Sequence, residues 1–133
     1  MHKTRNVITA ILLVLSLVVL TTNTLRPAIA QEVIAQEVGE MFNQELDCLT
    51  QNIYYEAGGE PFEGKVAVAQ VTLNRVASGQ FPKDICKTIY QKNVVYEKIL
   101  CQFSWVCEQV GGVKPTNKGA FDESMIVAQK VLL

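Results

Sequence analysis

Three carboxylates lie close together in the run Ile53-Tyr54-Tyr55-Glu56-Ala57-Gly58-Gly59-Glu60-Pro61-Phe62-Glu63-Gly64, interleaved with glycines and preceded by two tyrosines. A carboxyl group set against aromatic surface holds its proton more tightly, because burial penalises the charged form, and it can then protonate a glycosidic oxygen. Tyr54 and Tyr55 stand next to Glu56 and can supply such surroundings. Hydrolysis with inversion or retention ordinarily uses a second carboxylate at a defined separation, and Glu60 and Glu63 are the neighbouring candidates. Lytic transglycosylation needs one acid, which protonates the leaving oxygen and then helps a muramyl 6-hydroxyl close on its own anomeric carbon. Carboxylates three and four residues apart also occur on ordinary solvated helix faces, so spacing alone does not single out Glu56. Phe103 and Trp105 offer rings that can stack on sugars, although a lone Trp among apolar residues more often fills a core.

The chain has one histidine, His2, and it falls in a segment expected to be removed. The lack of imidazole argues against Ser-His-Asp and Cys-His catalysis and against the common His-bearing zinc sites, which favours carboxylates as acid and base, with no metal or cofactor expected. The excised segment is a secretion signal by its pattern: Lys3 and Arg5 are its positive start, Val7 to Leu20 is its apolar run, and Ala28-Ile29-Ala30 is a small-x-small cleavage site before Gln31. An uncleaved anchor is the alternative, but the run is shorter than the roughly 20 residues of a spanning helix. Removal of residues 1–30 leaves nine basic against thirteen acidic residues. The remaining lysines are scattered, which argues against nucleic-acid binding. Four cysteines, Cys48, Cys86, Cys101 and Cys107, follow the signal, where an oxidising compartment permits two disulfides. Three pairings are open, and a buried free thiol is an equal reading for Cys86.

Elements that would position these residues follow from periodicity. Residues 31–44 read as a loose N-terminal extension with some helical tendency, and the extension is taken to run to residue 47. Leu46, Leu49, Ile53 and Ala57 recur at helical spacing, with Asp47 or Thr50 able to cap a first core helix that Gly58-Gly59 ends. Glu56 then lies at the margin of its buried face. Pro61 suits the first turn of a second helix, whose stripe is Phe62, Val66, Ala69, Leu73 and Val76. Asn74 near its end is either buried and bonded to backbone or solvated. A short helix from Asp84 to Gln91 would turn Ile85, Thr88 or Ile89 and Cys86 inward. Val94 to Tyr96 and Ile99 to Val106 read as short strands or extended loop, and Gly111-Gly112 with Pro115 to Asn117 interrupt regular structure. Phe121, Met125, Ala128 and Leu132 mark a last amphipathic helix.

The run from Ile53 to Ala69, continuing through Leu73-Asn74-Arg75-Val76, resembles the signature of the SleB-like cell-wall hydrolases, whose members include spore-cortex-lytic enzymes. Phe81-Pro82, Ile85-Cys86, Ile89-Tyr90-Gln91 and Gln102-Phe103-Ser104-Trp105 resemble its further motifs, so the likeness covers about Leu49 to Leu133. The resemblance implies a small α+β, mainly helical, lysozyme-like domain over residues 48–133, with a minor β region beside a glycan groove. It also implies Glu56 as catalytic acid, a structural or supportive Glu60, and Tyr55, Gln102 and Phe103 near the groove; with Trp105 added for its ring, Tyr55, Glu60, Gln102, Phe103 and Trp105 are the substrate-binding candidates. The expected substrate is the peptidoglycan glycan strand between MurNAc and GlcNAc. The expected agent is a secreted, periplasmic or wall-located monomer that meets the membrane only through its signal before cleavage. Lytic transglycosylation is preferred because one well-placed glutamate is evident and a nucleophilic partner is not. Muramidase or amidase chemistry and a non-catalytic wall-binding domain are the alternatives. Two departures stand out: Gly58 replaces an arginine usual in the family's motif, and a C-terminal segment that completes the groove in relatives is expected to be lacking.

Overall fold

The computed structural model describes the backbone of residues 2–108 and 115–133, and the side chains of 11–18, 30–108 and 115–133. It divides into two units, Met1–Glu40 and Met41–Leu133. The first unit belongs to helix α1 (His2–Ala57), and its described side chains, Ile11 to Val18 and Ala30 to Glu40, are exposed. Residues 31–44 are therefore helical and not a loose extension. Glu, Gln and Ala favour the helix there, and Gly39 is the one weak position. Among the described residues no helix is long and apolar enough to cross a membrane.

The second unit is built on the last turns of α1, where Leu49, Ile53 and Ala57 are buried on the expected stripe. Asp47 and Thr50 lie inside the helix and cap nothing, since the helix does not begin there. It ends at Ala57 as expected, and the Glu60 N–H donates to the Ala57 carbonyl at 3.0 Å to close the turn.

Helix α2 (Phe62–Ala77) starts one residue after Pro61, which takes the extended N-cap position instead of the first turn. Its buried positions are Lys65, Ala69 and Thr72, so the face is rotated from the expected stripe. Phe62 is 48% exposed, while Val66, Leu73 and Val76 are half-buried. Hydrogen bonding accounts for the rotation. The Lys65 ammonium donates to the Glu60 carbonyl at 2.6 Å and to Glu123 at 3.1 Å, and Thr72 pairs with Asn52, so both polar side chains point inward with partners. Asn74 is exposed, in line with its solvated reading.

Helix α3 (Ile85–Ile89) is capped twice: Asp84 accepts from the Lys87 N–H and Glu45 from the Ile85 N–H, each at 2.7 Å. Ile85, Thr88 and Ile89 face inward as expected. A disulfide joins Cys86 to Cys48 of α1 across a sequence separation of 38. Strands β1 (Lys92–Val95) and β2 (Lys98–Cys101) pair antiparallel, Lys92 opposite Cys101 and Val95 opposite Lys98. Tyr96 and Glu97 turn between them at φ 49° and 64°. Extended structure does not continue to Val106. A second disulfide, Cys101–Cys107, doubles the chain back, and helix α4 (Ser104–Glu108) buries Trp105 and Val106, so tertiary closure overrides strand-like composition.

Asn117 caps helix α5 (Lys118–Leu132), accepting from the Ala120 N–H at 3.1 Å. Its inward residues are Ser124, Val127 and Ala128. Phe121, Met125 and Leu132 of the expected stripe are half-buried beside them. Pro115 to Asn117 are irregular as expected, and Gly111-Gly112 lie outside the described residues. The second unit is thus a small, mainly helical α+β domain with one two-stranded sheet among the described residues.

Candidate active site

A buried polar chain sets the frame beneath Glu56. The Trp105 indole N–H donates to the Asn52 carbonyl oxygen at 2.8 Å, the Asn52 amide donates to Thr72 Oγ1 at 3.1 Å, and that hydroxyl donates to the Val68 carbonyl at 3.3 Å. Asn52 and Thr72 are fully buried. The chain binds α1, α2 and α4 to one another, and loss of the Asn52 carboxamide would strand the indole N–H at a cost of about 1–3 kcal/mol. Trp105 is 7% exposed. It packs in the core, its polar edge occupied and its ring against Tyr55 and Tyr90, and it lines neither of the two clefts at Glu56. Tyr55 stacks on that ring at 4.7 Å between centroids, and Tyr90 meets it edge-on at 5.7 Å.

Tyr54 faces the other way. Its hydroxyl oxygen accepts from the Thr116 and Asn117 N–H groups, both at 3.1 Å, and its ring meets Phe121 edge-on. Those N–H bonds favour the phenolate and lower the Tyr54 pKa from its ordinary value. Tyr54 therefore ties the start of α5 to the end of α1.

Glu56 projects from the last turn of α1 and is exposed, further out than the margin position that periodicity suggests. Two clefts meet at it. One, of about 400 Å³, is bounded by Tyr54, Tyr55, the Gly58-Gly59 turn, Glu60 and Asn117. The other, of about 430 Å³, is lined by Ala67, Val68, Val71 and Arg75 of α2 and by Gln102, Phe103 and Ser104. Glu56 is the residue that both share. Partial desolvation raises its carboxyl above the ordinary 4.5, the positive charge of Arg75 opposes the rise, and the negative charge of Glu108 adds to it. The tip remains open to water, so the desolvation is that of a cleft wall and not of a core.

Arg75 is half-buried at the end of α2. Its guanidinium lies 4.7 Å from the centre of the Phe103 ring and 5.6 Å from that of Phe81, and it donates to the Gln102 carbonyl at 3.5 Å. Phe103, although 7% exposed, presents an edge to the cleft, and Gln102 lines it too. Glu60 lines the first cleft and a smaller one of about 270 Å³ beside Lys65 and Glu123. Glu63 is exposed on the first turn of α2 and lines none of these clefts. Of the residues expected at the site, Tyr55, Glu56, Glu60, Gln102 and Phe103 are brought to the two clefts, and Trp105 is not.

Gly58 has a local cause. A Cβ there would collide with the Tyr54 carbonyl oxygen, so this turn admits no side chain without a backbone shift. The cation acting on Glu56 is Arg75. Neither Arg75 nor Glu108 stands out in the sequence as a site residue. Arg75 reads as a favourable charge at a helix C-terminus, and Glu108 is brought near only by the Cys101–Cys107 closure. Position 108, directly after a cysteine that must find a partner, is the available signal.

Among the described residues, Glu45, Asp84 and Cys86 gather atoms of metal-binding type. Cys86 is in a disulfide, and Glu45 and Asp84 accept the capping N–H bonds of α3, so the group is occupied structurally.

Residues 59–133 match the family model described as Cell Wall Hydrolase. That span begins three residues beyond Glu56. Among curated proteins, the chain is similar to spore cortex-lytic enzymes. It is 40% identical to that of Bacillus subtilis (strain 168) over 70 residues, 52% of this chain and 23% of the relative. It is 43% identical to that of Oceanobacillus iheyensis over 47 residues, 35% of this chain and 17% of the relative. The Halalkalibacterium halodurans protein gives 41% over 49 residues, 37% and 15%. The chain thus spans less than a quarter of the length of each of these relatives. No solved structure matches it significantly.

Proposed function

The chain belongs to the Cell Wall Hydrolase family, and on that premise we propose that it cleaves the glycan strand of peptidoglycan between MurNAc and GlcNAc, with Glu56 as the acid and then the base. The observation that carries this reading is the position of Glu56 where two clefts meet, its carboxyl raised above the ordinary value by its surroundings. A strand lying along both clefts would cross that carboxyl at one linkage, with Tyr55, Glu60, Gln102 and Phe103 along its path.

In the first step the Glu56 carboxyl gives its proton to the bridging oxygen. The bond from the MurNAc anomeric carbon to that oxygen breaks, and the electron pair leaves with GlcNAc. In the second step the Glu56 carboxylate takes the proton of the MurNAc 6-hydroxyl as that oxygen bonds to the anomeric carbon. The product is a 1,6-anhydro end, the acid is regenerated, and water is not consumed. Export of a monomer to the cell wall is part of the proposal. It is supported by Lys3, Arg5, the apolar run to Leu20 and the Ala28-Ile29-Ala30 site.

Glu56→Gln should abolish peptidoglycan clearing with its melting temperature preserved, and retained clearing would reject Glu56. Mass spectrometry of the released fragments should show 1,6-anhydro ends. Hydrolysis is the second reading, favoured by the negative charge of Glu108 acting on Glu56. Reducing MurNAc ends, lost in Glu108→Gln, would establish it in place of transglycosylation.

A further inference from the structure

Arg75 carries a positive charge that no carboxylate in direct contact neutralises among the described residues. Its contacts are the faces of Phe103 and Phe81 and one long bond to the Gln102 carbonyl. A guanidinium has five N–H donors in a planar fork that matches a carboxylate. One accepted bond at 3.5 Å leaves most of that capacity unused. The aromatic faces hold the group without neutralising it, since a cation over a ring is attracted to the ring's negative face and keeps its full charge.

Its location is as informative as its partners. Arg75 and Glu56 line the same cleft, of about 430 Å³, whose remaining charged lining is absent: Ala67, Val68, Val71 and Phe103 are apolar, Gln102 and Ser104 neutral. The pair is close enough for the charge of one to act on the other, yet not within 4 Å as an ion pair. An ion pair would hold Glu56 as a carboxylate and defeat it as an acid. The guanidinium rests instead on the Phe103 and Phe81 rings and the Gln102 carbonyl.

We infer that Arg75 is the receptor for a carboxylate carried by the glycan, so that the cleft between α2 and the Gln102–Ser104 segment is the subsite for an acid-bearing sugar. A ligand carboxylate arriving there meets an aromatic-backed, half-buried guanidinium that forms a bidentate pair, and the apolar wall of α2 excludes water around it. The sugar face then packs on Ala67, Val68 and Val71, which places the adjoining linkage toward Glu56. This rests on the glycan-cleaving reading of the same cleft. The carboxylate can belong to the lactyl ether of the sugar itself or to a peptide attached to it.

Binding by the full chain carrying Glu56→Gln tests the inference, because that background removes both turnover and the titration of the acid. Three ligands are compared: neutral N-acetylglucosamine oligomers, peptide-free MurNAc-GlcNAc strands with free lactyl carboxylates, and peptide-bearing strands. Carboxylate-bearing strands should bind roughly tenfold or more tightly than the neutral oligomer. Preference for the peptide-free strands assigns the carboxylate to the sugar, and preference confined to peptide-bearing strands assigns it to the peptide. Adding Arg75→Gln should erase the preference with affinity for the neutral oligomer retained, and Arg75→Lys should restore part of it. Amidation of the strand carboxylates, with Arg75 intact, should erase it equally and does not depend on how the variants fold. Equal affinity for all three ligands, a preference that survives amidation, or one that survives Arg75→Gln would overturn the inference. An Arg75-dependent preference in a protein that releases neither anhydro nor reducing ends would instead sink the cleavage reading and leave the receptor standing. Cleavage without any preference would do the reverse.

Discussion

Glu56 stands between charges of opposite sign, Arg75 from α2 and Glu108 from α4, and their removal should move its titration in opposite directions. In the proposed role as general acid Glu56 must be protonated, so activity should be lost as pH rises through its pKa. Arg75 lowers that pKa, hence Arg75→Gln should carry the alkaline limb of the kcat profile to higher pH. Glu108 raises it, hence Glu108→Gln should carry the limb to lower pH. Profiles for the two variants that shift the same way, or not at all, would show that the limb belongs to another group. At this scale the sequence placed Glu56 beside the glycine turn that ends α1, and the family resemblance, not the spacing, made it the candidate acid. The sequence left Trp105 open between core and cleft. Ring chemistry alone cannot tell a sugar platform from a core residue, because the difference lies in whether another side chain, here Asn52, already takes the indole N–H.

Among the elements, the segment between Cys101 and Cys107 does most to shape the cleft. The disulfide closes a short loop, with a separation of 6, that carries Gln102 and Phe103 to the Arg75 side and turns Trp105 into the core. Its loss should cost roughly 2 kcal/mol by loop entropy, less than the roughly 4 kcal/mol for the Cys48–Cys86 link. Activity should show the opposite order. Cys101→Ala with Cys107→Ala should lower kcat/KM by about tenfold or more through misplaced cleft residues, while Cys48→Ala with Cys86→Ala acts chiefly on melting temperature. Paired denaturation and kinetic measurements would reject this if both pairs changed activity alike. Helix existence was legible from periodicity, because apolar spacing survives in α2 and α5. The faces were not. Lys65 and Thr72 turn inward on α2 because the Glu60 carbonyl, Glu123 and Asn52 offer partners, and Glu123 and Asn52 come from distant positions in the chain. The same is true of α4, whose residues favour a strand until a disulfide closes them.

At the scale of the whole molecule, the core belongs to the second unit: the buried residues described run from Cys48 to Ala128, and the described side chains before Glu40 are exposed. A chain beginning at Gln31, the start expected after signal removal, should therefore melt at the same temperature and clear peptidoglycan at the same rate as the full chain. A broadened or lowered transition on calorimetry would count against the proposed boundary. The sequence by itself determined the family, the mainly helical class and the glycine junction that ends α1, since those depend on residue type and order along the chain. Only the tertiary structure decided which cysteines pair, that Trp105 is sealed while Phe103 reaches the cleft, and that Arg75 and Glu108 act on Glu56. Each of those depends on distance through space, which local spacing does not encode once disulfides and buried hydrogen bonds join residues far apart in the chain.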